Sequence, residues 1–310
     1  MRVEFMALIF GHKSPDSDAT GAPLIWQWQC EEIAHRAAEA VLLGAPSKEA
    51  RFMLDQWGFS LPRTISDVED GEDVIIVDTN NPGELPKNIL NANIIEIIDH
   101  HLLSGGLATK IPIPVTIRPL ASTATVMCEL LGTNIDRMPR PLKGIALSCI
   151  LSDTLEFRSP TTTKTDRLLA ANLAAELRVD IPSFAAEMFA AKSDMSDYSD
   201  AELLTIDSKF YEIDGCKLRV SVLETTTPAV ILDRRSGLTA AMETAARNEG
   251  IDQILLFVVD ILNTQATLLT PNQFTRELAE RSFSATATGD TVLLPGIVSR
   301  KKQILPNLKP

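Results

Sequence analysis

The stretch Val3-Glu-Phe-Met-Ala-Leu-Ile-Phe-Gly11, followed at once by His12-Lys-Ser-Pro-Asp16-Ser-Asp18, decides the fold. An apolar run of this length that stops at a glycine and a polar loop reads as a buried parallel strand. Working outward, a helix is expected over about 18–36 and a short strand over 40–43. A second helix is expected over 48–57, which Ser47 can N-cap and Gly58 can stop. Val74–Val77 and Ile94–Ile98 read as two more buried strands, each ending at an aspartate. Strands alternating with helices at this spacing predict an α/β fold with a parallel sheet.

Beyond a strand at 113–117 the chain turns helical, with helices expected over 122–131, 141–154, 164–177 and 182–190. Residues 192–200, Lys-Ser-Asp-Met-Ser-Asp-Tyr-Ser-Asp, are polar and read as a flexible linker. Residues 201–310 then restart as a smaller α/β domain: a helix, a strand at 217–223, a helix at 235–249, strands at 254–261 and 264–269, and a last helix and strand. The expected organisation is therefore a catalytic domain over 1–191, a linker over 192–200 and a second domain over 201–310, in keeping with a 310-residue chain. The formal charge of −12, from 41 acids against 29 Lys and Arg, argues against nucleic acid or an anionic membrane as partner. Cys30, Cys128, Cys149 and Cys216 are scattered without a CxxC pair and read as reduced thiols. With no signal-peptide core and no apolar run of membrane-spanning length, a cytoplasmic location is expected.

Ligands of an open parallel sheet collect outside the carboxyl ends of its strands, which is where His12, Asp16 and Asp18 lie. The same spacing also suits an Asx turn opening a helix, with either aspartate as N-cap. Asp78 ends the second buried strand and Asp99-His100-His101 ends the third, so three segments bring acids and imidazoles to one sheet edge. The fourth histidine, His35, sits among Glu31, Glu32 and Arg36 and reads as a solvated surface residue. Asp153 continues the buried helical face of Leu142, Ile145, Ala146 and Cys149; an ionised carboxylate there needs a partner, unless it only caps the following segment. His12, Asp16, Asp18, Asp78, His100 and Asp153 together offer two nitrogens and four carboxylates without a thiolate. Such a set suits two ions of Mn²⁺, Co²⁺ or Mg²⁺ type sharing one bridging carboxylate.

In this order, His12-x-x-x-Asp16-x-Asp18, Asp78, Asp99-His100-His101 and Ser152-Asp153-Thr154 resemble the motifs of the DHH phosphoesterase superfamily. Ser159-Pro160-Thr161-Thr162-Thr163 and Ser299-Arg300-Lys301-Lys302-Gln303 narrow the resemblance to the family II inorganic pyrophosphatases, whose second domain is of DHHA2 type. The resemblance implies that His12, Asp16 and Asp78 hold one metal and that Asp18, Asp78, His100 and Asp153 hold the other, with Asp78 as the bridge. It implies that His101 faces substrate and that Lys209, Arg300 and Lys301 reach phosphate oxygens. Lys302 reads as solvated, and Asp99 as a group that orients its neighbouring histidines. The chain departs from the family pattern at Thr79-Asn80-Asn81, where many members carry His-Asn after the aspartate, and it lacks a regulatory nucleotide-binding insert.

The resemblance implies two Mn²⁺ per subunit, with Co²⁺ or Mg²⁺ as substitutes, a further Mg²⁺ arriving with substrate, and a homodimer. The expected reaction is hydrolysis of pyrophosphate to two phosphates, with a hydroxide bridging the metals as nucleophile. Two alternatives remain at this level: a short-chain exopolyphosphatase or other DHH phosphoesterase, and a non-catalytic protein that binds metal or phosphate. The nucleic-acid branches of the superfamily carry a Gly-Gly-Gly-His type motif, which has no counterpart here.

Overall fold

A computed structural model of the chain describes residues 6–103 and 105–310. The start of the expected first strand, Val3–Phe5, lies outside the described residues. The chain divides into two compact units, 1–191 and 192–310.

The first unit runs β1 (Ala7–Phe10), α1 (Ser17–Trp28), β2 (Ala38–Ala40), α2 (Lys48–Trp57), β3 (Asp73–Val77), β4 (Asn93–Asp99) and β5 (Val115–Ile117). Helices α3 (Thr123–Leu131), α4 (Arg140–Asp153), α5 (Lys164–Leu177) and α6 (Ile181–Lys192) follow. All five strands are parallel, in the order β2-β1-β3-β4-β5. Alternate residues of each strand face opposite sides. Ala7, Ile9, Ile75, Val77 and Ile98 join the helices in one core. Leu8, Phe10, Val74 and Ile76 pack on the other side against Val68, Leu85 and Ile89, from loops and short turns. The β3–β4 register shifts after Val74, leaving Ile95 as the extra residue, so Ile94 and Ile97 share a face.

Two ends of this unit bear directly on the site. Reversal of strand order between β1 and β3 opens a crevice at their carboxyl ends, the usual ligand position for a sheet of this order. Helices α1 and α4 meet at Gly21, where a Cβ would lie 2.5 Å from Cys149 Sγ and 2.7 Å from Ile145 Cγ2. Only a residue without a side chain permits that approach, and it draws the start of α1 toward the end of α4.

The second unit contains α7 (Asp200–Leu203), β6 (Ser208–Ile213), β7 (Cys216–Thr225), α8 (Pro228–Leu232), α9 (Arg235–Glu249), β8 (Gln253–Asp260), β9 (Gln265–Leu269), α10 (Gln273–Phe283) and β10 (Thr291–Pro295). Its mixed sheet has the order β10-β9-β8-β7-β6, with β7 and β8 the parallel pair. Central β8 is buried along its whole length and feeds two cores: Leu255, Phe257 and Val259 on one face, Ile254, Leu256 and Val258 on the other. Much of the segment read as a linker is fastened to this unit. Ser193 shares a hydrogen bond with Thr226, and Arg234 donates to the carbonyls of Met195 and Tyr198 and to the Asp200 carboxylate.

Candidate metal centre

The loop after β1 does not stay extended. Asp16 N-caps α1, its Oδ1 accepting from the backbone N–H groups of Asp18 (3.1 Å) and Ala19 (3.0 Å). Its other oxygen, Oδ2, stands 3.7 Å from His12 Nε2. The capping and metal-ligand readings of Asp16 are thus compatible, one oxygen for each.

Asp18 lies in the first turn of α1, almost wholly buried, and points to the N-terminus of α3. Its Oδ1 accepts from Ser122 Oγ (3.0 Å) and the Ala124 N–H (3.1 Å), and its Oδ2 from the Thr123 N–H. Unpaired N–H groups at a helix start and the helix dipole both favour a carboxylate there.

Asp78 follows β3 with a left-handed backbone, φ +56°, and is 1% exposed. Its two oxygens face different imidazoles: Oδ2 is 3.6 Å from His12 Nε2, and Oδ1 is 3.4 Å from His100 Nε2. Thr123 Oγ1 donates to Oδ1 at 2.9 Å. His100 Nδ1 stands 3.1 Å from the Leu120 carbonyl, which fixes the proton on that nitrogen and leaves Nε2 as a lone-pair donor.

Asp99, fully buried, accepts at Oδ1 from the backbone N–H groups of His100 (2.7 Å) and His101 (3.1 Å) and from His101 Nδ1 (2.9 Å). Asn80 Nδ2 donates to its Oδ2 at 2.6 Å. Burial pushes the Asp99 carboxyl up, but these hydrogen bonds outweigh it and hold the group below its ordinary value. The hydrogen bond to Asp99 raises His101 above the ordinary imidazole value, and its ring is half exposed.

Asp153 is the last residue of α4, the end where a helix disfavours negative charge. Its Oδ2 is buried without a hydrogen-bond partner among the described residues. Burial, then the charges of Asp18, Asp16 and Asp78, push its carboxyl well above the usual range. Burial, then Asp18 and Asp16, does the same to Asp78. At His12 burial acts downward, but Asp16, Asp78 and Glu84 outweigh it and raise the imidazole.

Among the described residues, His12, Asp16 and Asp78 bring one ligand atom each to within 4.8 Å of one another, and so do Asp18, His100 and Asp153. Asp78, His100 and His101 form a third such group that joins the first two. Four carboxylates, Asp18 and Asp78 buried and Asp153 with an orphaned oxygen, repel one another unless positive charge lies between them. Two divalent cations balance four carboxylates, so the residues present fit the metals that the sequence implies. A 650 Å³ pocket beside His12 and His101 is lined also by Lys13, Asn80, Asn81 and Glu84.

The three basic residues expected at phosphate belong to the second unit. Lys209 lies on the edge strand β6, exposed, and Asp207, two residues before it, accepts from Arg300 at both carbonyl (2.9 Å) and carboxylate (2.7 Å). Arg300 and Lys209 therefore share a corner through Asp207. Ser299 caps the π-helical turn Arg300–Ile304, leaving Lys301 and Lys302 exposed.

Sequence reasoning missed the groups that hold the ligands: Ser122, Thr123, the Leu120 carbonyl and Asn80. The signal available was Ser122-Thr123 at a helix start, a small polar pair whose free N–H groups suit an anion.

Comparison with known proteins gives the class first. The DHH family N-terminal domain matches residues 6–152, and the DHHA2 domain matches residues 186–310. Two curated relatives, from Lactobacillus johnsonii and Lactobacillus helveticus, are each named "Probable manganese-dependent inorganic pyrophosphatase". The first is 32% identical over 97% of both chains, the second 32% over 97% of this chain and 96% of its own. A crystal structure from Methanococcus jannaschii, described as a "putative family II inorganic pyrophosphatase", is 30% identical, covers 97% of this chain and 98% of its own, and superposes with a TM-score of 0.62. The chain belongs to this family of manganese-dependent, family II inorganic pyrophosphatases.

Proposed function

We propose that the protein hydrolyses inorganic pyrophosphate to two phosphates, with one Mn²⁺ held by His12, Asp16 and Asp78 and a second by Asp18, Asp78, His100 and Asp153. The observation that carries this reading is Asp78, whose two oxygens face His12 and His100 separately. When bound, a pair of divalent cations polarises phosphoryl oxygens and lowers the pKa of bound water to about 7. Co²⁺ or Mg²⁺ is the expected substitute, and a further Mg²⁺ accompanies substrate.

The chain's own groups supply the rest. Asp99 Oδ1 accepts the hydrogen bond of His101 Nδ1–H, which leaves Nε2 for substrate. That same contact raises the imidazole above its ordinary value and so favours the protonated ring, the form that can donate to a phosphate oxygen. Lys209, Arg300 and Lys301 neutralise charge on the phosphates. Arg300 already pairs with Asp207, so exposed Lys301 is the more available of the two neighbours. Lys301→Ala is expected to raise KM about 10-fold or more, the size of one lost charged hydrogen bond, with metal content intact. Loss of metal in that variant would show that its role is misplaced.

The net charge of −12 supports a small anion rather than nucleic acid as partner. Among the described residues no helix is long and apolar enough to cross a membrane. The proposed setting is a cytoplasmic homodimer. The function is tested by phosphate release in Mn²⁺ from pyrophosphate, tripolyphosphate and a dinucleotide side by side. Preferred release from pyrophosphate is expected. Preference for tripolyphosphate or the dinucleotide would favour another phosphoesterase, and no release from any would favour a binding protein.

A further inference from the structure

We propose that Thr79 and Glu84 form a strut that sets the spacing of His12 and Asp78, and so act as positioning residues for one of the two metals. The inference rests on the two-metal reading above. Asp78 leaves β3 left-handed, a backbone state that L-residues adopt at a cost and that surrounding structure must hold. The holding groups lie in the next six residues. Thr79, 2% exposed, donates its hydroxyl to Glu84 Oε2 at 2.6 Å and accepts the Asn81 N–H at 3.1 Å. The Glu84 carbonyl accepts the Lys13 N–H at 2.9 Å, and Lys13 Nζ reaches the Gly83 carbonyl at 3.3 Å. These contacts close a ring: Asp78 is bonded to Thr79, Thr79 contacts Glu84, Glu84 contacts Lys13, and Lys13 is bonded to His12. Across the ring stand His12 Nε2 and Asp78 Oδ2, 3.6 Å apart. Of the other set, Asp18, His100 and Asp153 are held outside the ring by α3, the Leu120 carbonyl and α4, and the oxygen that Asp78 turns to His100, Oδ1, is held by Thr123 Oγ1.

Stepwise Mn²⁺ binding, read from the EPR signal of free Mn²⁺ during titration of metal-free protein, tests the strut. Thr79→Val keeps the shape and removes the hydroxyl. It is expected to weaken one of the two binding steps about 10- to 100-fold, the usual effect of losing a group that orients a ligand, and to leave the other within about threefold. Thr79→Ser should restore wild-type binding. Glu84→Gln keeps an acceptor oxygen and should stay near wild type, whereas Glu84→Leu should match Thr79→Val. Equal loss at both steps, no loss at either, or a Glu84→Gln defect as large as that of Glu84→Leu would overturn the strut. Unchanged thermal midpoints of the metal-free variants exclude misfolding; if Thr79→Val unfolds, the Glu84 pair decides alone. Wild-type protein that takes up fewer than two Mn²⁺ would instead overturn the two-metal reading itself.

Discussion

Asp78→Ala is expected to lower Mn²⁺ content from two per chain to less than one and to reduce phosphate release at least about 10³-fold, because both cation sites lose the carboxylate they share. Metal analysis beside a turnover assay checks this. The loss is not expected to arise from unfolding. In the metal-free protein the buried Asp78 carboxyl is raised by burial and by Asp18 and Asp16, so removing it relieves repulsion. The variant should therefore melt, without metal, no lower than the wild type. Near-normal turnover with a full complement of metal would contradict the bridging assignment.

Chelation carries the second large effect. A cation at a free concentration about 100 times its Kd stabilises the folded state by about 2.7 kcal/mol per site, so two sites contribute about 5 kcal/mol. For a unit of this size that corresponds to a rise in Tm of about 10–20 °C on adding Mn²⁺ to chelated protein. The shift should grow with pH. Asp78 and Asp153 titrate higher in the folded metal-free chain than in the unfolded one, so over that interval the folded state holds the extra protons. Metal-free stability is then fully present only below the unfolded carboxylate value of about 4, and is lost as pH rises through the folded values. His12, also raised, works in the same direction. Metal takes the place of those protons and releases them, so its contribution is small at acid pH and large at pH 8. Calorimetric scans at pH 5.5 and 8, with and without Mn²⁺, measure both effects. An equal Mn²⁺-induced shift at the two pH values would contradict the account.

Much of the fold was legible because its signals are local. Helix α2 begins after Ser47, whose side chain accepts the Ala50 N–H, and ends at Gly58 with φ +74°, as a capping residue and a stop residue should. Helix α9 spans the expected residues, 235–249. The helix expected over 18–36 instead ends at Trp28 and continues as a π-helical turn, Gln29–Ile33, before His35 turns left-handed at φ +52°. His35 is exposed, as its charged neighbours suggested, but it lies beyond the helix rather than in it. Strand β6 escaped notice because it is an edge strand: Phe210 on it is 52% exposed, so no alternating buried face marks it. At the site, acids and histidines at strand ends were readable because their chemistry is unusual for a turn. The groups that hold them were not. A backbone N–H or carbonyl has no sequence signature, and the Thr79–Glu84 contact becomes visible only once the chain after β3 has folded back onto the loop after β1.

Anomalous scattering from Mn²⁺-grown crystals tests the central claim most directly. Two peaks are predicted, roughly 3.5–4 Å apart, with one oxygen of Asp78 on each. A single peak, or two peaks that do not share Asp78, would contradict it.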